Sequence, residues 1–77
     1  MKIKVLGSGC AKCNHLEKVT RQAVTELKID ANIEKIEDIV KIMGYGVMST
    51  PSLIVNDKIL ISGYVPSISK MKKLLLK

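Results

Sequence analysis

Residues 2–13 read KIKVLGSGCAKC, a strand pattern that leads directly into two closely spaced cysteines. Its first five positions alternate polar and apolar residues, as a half-buried strand does. The glycine-rich segment 7–9 that follows is typical of a flexible turn. Over residues 11–28 the apolar positions repeat with a period of 3.6, which predicts an amphipathic helix. Cys10 and Cys13 are therefore expected at a junction between a strand and a helix.

The middle of the chain continues the same alternation of elements. Residues 30–36 have the pattern of a second strand and residues 37–43 that of a short helix, with Gly44 as the residue that follows its end. The residues of this helix expected to face inward are Ile39, Ile42 and Met43. A strand, a helix and a second strand require a right-handed crossover, and therefore a parallel pair of strands.

The last third predicts an antiparallel hairpin and a final helix. Ser52–Val55 and Lys58–Ser62 are β-rich runs, and Asn56-Asp57 between them tolerates the positive φ of a two-residue turn. Ser67 is a candidate N-cap for the final helix. The residues expected on the inward face of that helix are Ile68, Met71, Leu74 and Leu75. The order β-α-β-α-β-β-α predicts one α/β domain over residues 1–77, with a four-stranded mixed sheet and helices on both faces.

The composition limits the classes of partner. The formal net charge is +6, but aromatic residues make up only 3% of the chain and do not alternate with the lysines near its end, so nucleic acid is not an expected partner. The longest uncharged run, residues 42–56, contains glycines and a proline and is too short to span a bilayer. No signal peptide is recognisable. We expect a cytoplasmic monomer with no membrane partner.

The cysteine pair carries the predicted chemistry. With Cys10 at the N-cap of the helix, the free backbone N–H groups, the helix dipole and the charge of Lys12 would all favour a thiolate. Cys13 falls on the inward stripe of the same helix and is expected to be buried. This pattern predicts thiol–disulfide exchange in which Cys10 attacks a substrate disulfide and Cys13 resolves the mixed disulfide.

A second motif, Ser49-Thr50-Pro51, stands at the entry of the third strand, where proline is tolerated because it donates no ladder hydrogen bond. Together with the segment 7–13 and Gly63, it resembles the small thioredoxin-like redox-active disulfide proteins of bacteria and archaea. The resemblance covers essentially the whole chain. It implies a three-layer thioredoxin-like fold and a protein disulfide reductase, with protein disulfides and an unidentified reductase as partners and with no cofactor or metal.

The same resemblance implies roles for Thr50 and Pro51. The peptide bond between them would be cis, the proline would pack against the cysteine pair, and the adjacent backbone would pair with the substrate chain. Two further side chains have open assignments. His15 is a surface residue, a group that tunes the thiols, or a metal ligand beside them. Met48 either fills the core or forms an apolar rim around Cys10.

Other functions also fit the cysteine pair. Two thiolates suit a carrier of Cu(I) or Zn(II), and small copper-binding domains also begin with a strand, a C-x-x-C loop and a helix. Those domains have the order β-α-β-β-α-β and end on a strand, whereas this chain is predicted to end on a lysine-rich helix. They also usually place a methionine where this chain has Ser8. A binding module that retains the fold without turnover is a third hypothesis.

Overall fold

The computed structural model describes residues 1–7, 11–47 and 49–76, which form four strands and three helices. The elements are β1 (Lys2–Leu6), α1 (Ala11–Leu27), β2 (Asn32–Ile36), α2 (Ile39–Gly44), β3 (Ser52–Val55), β4 (Lys58–Ser62) and α3 (Ile68–Leu75). The predicted order and fold class are confirmed.

The four strands form one mixed sheet in the order β2-β1-β3-β4. β1 and β2 are parallel, whereas β3 is antiparallel to both β1 and β4. Leu6 at the end of β1 pairs with Ile36 and with Ser52, and Ser52 pairs in turn with Ser62. These four residues therefore lie in a row at one end of the sheet, which we call the site end because the candidate residues follow directly from it.

The larger core lies between the sheet and the helices α1 and α3. Strand residues such as Ile3 and Val5 alternate onto this face, where they meet the apolar stripe of α1. The predicted stripe is confirmed, because Leu16, Val19 and Ala23 are all buried. The α3 residues that pack onto this core are Ile68, Met71, Leu74 and Leu75, as predicted.

The smaller core lies on the opposite face, beneath α2. It consists of Leu6, Ile36, Ile42 and Ile54, with Val47 packed against it. Only one of the three predicted inward residues of α2 is correct. Ile42 is buried, but Ile39 and Met43 are 59% and 70% exposed. A helix of six residues makes fewer than two turns, so it presents little more than one side chain to the sheet. Most of the apolar residues in so short a helix are therefore left exposed.

The turn and cap residues predicted from the sequence are confirmed in the structure, except at the end of α2. Asn56 and Asp57 have φ values of 49° and 68°, as the predicted two-residue hairpin requires. The Ser67 side chain accepts a hydrogen bond from the backbone N–H of Lys70, which confirms the N-cap of α3. Gly44, however, is the last residue of α2 rather than the residue that follows it, and Tyr45 is the C-cap.

The helices do not suggest a membrane segment. The longest, α1, has 17 residues, and in the part of the chain covered by the structure no helix is both long and apolar enough to cross a bilayer.

Candidate active site

Three segments meet at the site end of the sheet. Gly7 directly follows Leu6, and Pro51 directly precedes Ser52, the antiparallel partner of Leu6. Gly63 follows Ser62 at the end of β4, and its backbone N–H donates to the Pro51 carbonyl at 2.8 Å. The topology thus places Gly7, Pro51 and Gly63 side by side, at the end of the sheet from which the chain leads into α1.

Cys13 lies in the first turn of α1 and is fully buried, as its place on the inward stripe predicts. Its immediate neighbour is Gly7, which is also buried. The two residues are packed so closely that a Cβ atom added at Gly7 would overlap the Cys13 sulfur. The sulfur of Cys13 is therefore held against the backbone that continues β1, on the side of the sheet covered by α1.

The predicted attacking residue, Cys10, lies outside the described residues, as does Met48. The N-cap position and the thiolate predicted for Cys10 consequently stay predictions. Lys12 and His15 are both exposed on the first turns of α1. Exposure of His15 agrees with the interpretation of this histidine as a surface residue.

The loop before β3 is fixed by hydrogen bonds. The Thr50–Pro51 peptide bond is cis, the conformation that the resemblance implied. Pro51 is buried, whereas Thr50 is exposed. The hydroxyl of the buried Ser52 donates to the Ser49 carbonyl, and Gly63 approaches the same serine so closely that a Cβ at Gly63 would lie 3.1 Å from the Ser49 Cβ. This packing leaves Thr50 at the surface of the site end.

An apolar groove of about 190 Å³ adjoins Thr50. It lies between α2 and the loop, and its lining residues are Ile39, Ile42, Met43, Val47, Ser49 and Thr50. The exposure of Ile39 and Met43, which the helical pattern missed, gives this groove its apolar side.

A charged cluster on α1 and β2 stands near the start of the helix. The Lys35 ammonium donates to Asn14 Oδ1 at 2.7 Å and lies 3.5 Å from Glu17 Oε1. Arg21 also donates to Glu17, and this hydrogen bond is the main reason that the pKa of the Glu17 carboxyl lies below its ordinary value. The alternation of β2 places Lys35 on the α1 face of the sheet, but the sequence alone does not show that it reaches Asn14.

The role of Gly7 does not follow from the sequence pattern, which places this glycine in the flexible turn. A lone glycine at a strand end can instead mark a close approach of backbone and side chain, and that signal was available in the pattern.

Within the described residues, no group of three or more histidine, cysteine, aspartate or glutamate side chains is placed to hold a metal ion.

Comparison with known proteins agrees with this architecture. The family model described as "Thioredoxin domain" matches residues 1–76. A thioredoxin of Methanothermobacter thermautotrophicus (strain Delta H) is 45% identical over 75 residues, which cover 97% of this chain and 97% of that protein. A thioredoxin of Methanocaldococcus jannaschii is 38% identical over 71 residues, or 92% of this chain and 81% of that protein. These matches support a thiol–disulfide oxidoreductase in general terms, and they show that the chain belongs to the thioredoxin domain family.

Proposed function

We propose that this protein reduces protein disulfides through Cys10 and Cys13. The Cys10 thiolate attacks one sulfur of the substrate disulfide, so that a Cys10–substrate bond forms and the other substrate sulfur leaves as a thiolate. Cys13, on losing its proton, then attacks the Cys10 sulfur. A Cys10–Cys13 disulfide forms and the second substrate thiolate is released. Two electrons pass from the cysteine pair to the substrate.

A separate dithiol reductase would return the cysteine pair to its reduced form by the same exchange in reverse. We place this cycle in the cytoplasm, where the thiol pool is reducing and a C-x-x-C pair is more often catalytic than structural. The protein is proposed to act as a monomer, and the cycle needs no cofactor because both electrons reside on the sulfurs.

The observation that carries the proposal is the position of Cys13. It is fully buried in the first turn of α1 and lies against Gly7 at the site end. A buried sulfur reacts poorly with external reagents but is available to a sulfur three residues earlier in the chain. This arrangement suits a resolving cysteine, and it leaves Cys10 as the residue that meets the substrate.

The remaining proposed roles concern substrate binding and the thiolate. We assign the backbone around Thr50 and Pro51 to pairing with the substrate chain, since Thr50 is exposed and its loop is hydrogen-bonded in place. The groove formed by Ile39 and Met43 would accept an apolar side chain next to the substrate disulfide. Lys12 would stabilise the Cys10 thiolate by its charge.

The test is the alkylation rate of the reduced, metal-free protein against pH, with the modified residue identified by mass. We expect a single reactive site, Cys10, with a pKa clearly below the ordinary thiol value of about 8.5. The Cys13→Ser variant should show the same fast site, and the Cys10→Ser variant should lose it. Equal reactivity of both cysteines with ordinary pKa values would contradict the proposal, and Cu(I) and Zn(II) affinity would then be measured to test the soft-metal carrier.

Trapping the intermediate separates the two proposed roles. Cys13→Ser should accumulate a mixed disulfide with a disulfide-bonded model protein, since no resolving sulfur is present to release it. Cys10→Ser should form none. A mixed disulfide that forms on Cys13 in the Cys10→Ser variant, as fast as on Cys10 in Cys13→Ser, would contradict the assignment of attacker and resolver.

A further inference from the structure

We propose that Gly7 is a positioning residue for the resolving step: its missing side chain leaves the space that the Cys13 sulfur occupies. The inference rests on the proposed function, because it concerns the sulfur assigned to resolve the mixed disulfide. It adds a residue outside the C-x-x-C motif and the Thr50–Pro51 loop. It also predicts which of the two exchange steps this residue controls.

Steric contact, not backbone conformation, explains the glycine. Positive φ values occur at Gly46 and Gly63, but Gly7 is not among the glycines with this conformation. An alanine could therefore adopt the backbone angles of residue 7 without strain. Its Cβ, however, would overlap Cys13 Sγ and lie 2.6 Å from Cys13 Cβ, a separation that real Cβ contacts essentially never show.

Neither partner in this contact has room to withdraw. The backbone N–H of Gly7 donates to the Ile36 carbonyl at 3.0 Å, which ties residue 7 to the end of β2. Cys13 is fully buried and shares its helix face with Leu16, which is fully buried as well. A methyl group at residue 7 must therefore displace the sulfur or the start of α1.

The effect on the two steps should differ. The first step joins Cys10 to the substrate and does not use the Cys13 sulfur. The second step requires Cys13 Sγ to reach the Cys10 sulfur in line with the bond that breaks, and a misplacement of about 1 Å can cost about 100-fold in rate. Gly7→Ala should consequently slow resolution far more than attack.

The experiment uses the reduced 77-residue chain and a small aromatic disulfide that releases a coloured thiolate in each step. The first equivalent of thiolate reports attack by Cys10, and the second reports resolution by Cys13. In Gly7→Ala we expect an unchanged first phase and a second phase slowed by about 10- to 100-fold. The matched control is Gly44→Ala, since a Cβ at Gly44 would meet nothing within 4 Å, and both of its phases should be unchanged.

The outcomes separate the inference from the proposed function. A second phase at the wild-type rate in Gly7→Ala would overturn the inference, whereas the proposed function would stand. If the wild-type protein itself gives no ordered attack and resolution, the proposed function fails whatever Gly7 does. If Gly7→Ala does not fold, the double variant Gly7→Ala/Cys13→Gly removes both clashing atoms of the cysteine. Recovery of folding in that variant supports the contact, and no recovery overturns it.

Discussion

The two faces of the sheet are covered very differently. Among the described residues, eleven buried side chains form the core between the sheet and the helices α1 and α3, whereas only four form the core between the sheet and α2. Because stabilisation by burial scales with the apolar area removed from water, the first face should supply most of the stability. We call the face covered by α1 and α3 the thick face, and the face covered by α2 the thin face. Cys13 lies on the thick face, whereas the proposed substrate groove opens on the thin face.

The same contrast appears within the helices themselves. Nearly every apolar residue of α1 is buried or partly buried, while α2 leaves Ile39, Val40 and Met43 between 59% and 73% exposed. A helix with few buried contacts opens more easily than one embedded in a core. We therefore expect α1 to hold the Cys13 sulfur rigidly, and α2 to adjust if different substrate chains bind in the proposed groove.

The largest expected effect is on the free energy of unfolding. Leu16→Ala removes a fully buried side chain from the thick face and should cost about 2–5 kcal/mol. Ile39→Ala on the thin face should change the stability by no more than about 0.5 kcal/mol, because that side chain is mostly in solvent. Urea unfolding of both reduced variants, followed by circular dichroism, measures the two values. An equal loss in both would refute the contrast between the faces.

Amide hydrogen exchange should show the next effect. We expect the α2 amides to exchange by local opening, with protection at least about tenfold below that of the central α1 amides, which require global unfolding. Leu16→Ala provides the control. It should lower protection in α1 in proportion to the lost stability and leave that of α2 largely unchanged. Equal protection in the two helices of the wild-type protein would show that they open together.

A smaller effect concerns the loss of stability in acid, which should arise from carboxyl groups on α1. In the part of the chain that the structure describes, two carboxyls have a lowered pKa, and both lie on α1. A hydrogen bond from Arg21 is the main cause for Glu17, and a hydrogen bond from Lys72 of α3 is the main cause for Glu26. A carboxyl whose pKa is lower in the folded than in the unfolded state adds stability above its unfolded pKa. That stability is lost as the pH falls through the folded value. Stability should therefore decrease below about pH 4.5, the ordinary value for glutamate.

The variant Glu17→Gln tests this dependence, because it removes one of the two carboxyls. Its stability should fall less steeply with acid than that of the wild-type protein. Arg21→Gln should flatten much of the same slope, and the two changes together should do little more than Glu17→Gln alone. Salt at about 1 M should weaken the dependence in the wild-type protein, since these pairs are only partly buried. An unchanged acid slope in Glu17→Gln would contradict the role of this pair.

How much of this could be predicted from the sequence differs between the two faces. The stripe of α1 follows from periodicity because the helix spans almost five turns, so an error at one position does not change which face is apolar. In α2 the pattern covers fewer than two turns, and Ile39 and Ile42 cannot be ranked by spacing alone. Which of them meets the sheet depends on the tertiary position of Leu6 and Ile54, which no local pattern contains.

The candidate site shows the same division. Burial of Cys13 could be predicted because it continues the stripe of α1. The proximity of Gly7 to its sulfur could not, since it depends on how α1 lies across the end of β1. The link between Lys35 and Asn14 likewise joins two residues that are 21 positions apart in the chain. Local patterns predict the elements and their faces, and the contacts between elements require the fold.

The smallest expected effect concerns a polar contact of the thin face. Lys4 Nζ donates to the Tyr45 hydroxyl at 3.1 Å and lies 4.8 Å from the centre of the ring. That hydrogen bond is the main reason that the pKa of the Lys4 amine lies above its ordinary value of 10.5. Tyr45→Phe keeps the ring and removes the hydroxyl, so it should move this pKa back toward the ordinary value. As a surface change, it should alter stability by less than about 0.5 kcal/mol.

The sign of the accompanying pH dependence follows from linkage. A group whose pKa is raised by folding contributes stability that is present below its unfolded pKa and lost as the pH rises through the folded value. The wild-type protein should therefore lose a small increment of stability above about pH 10.5 that Tyr45→Phe lacks. An NMR titration of the Lys4 side chain measures the shift directly. Tyr64→Phe is the matched control because Tyr64 lies beside Lys70, not Lys4. A Lys4 titration that moves equally in both variants would show that the hydroxyl of Tyr45 has no specific part in it.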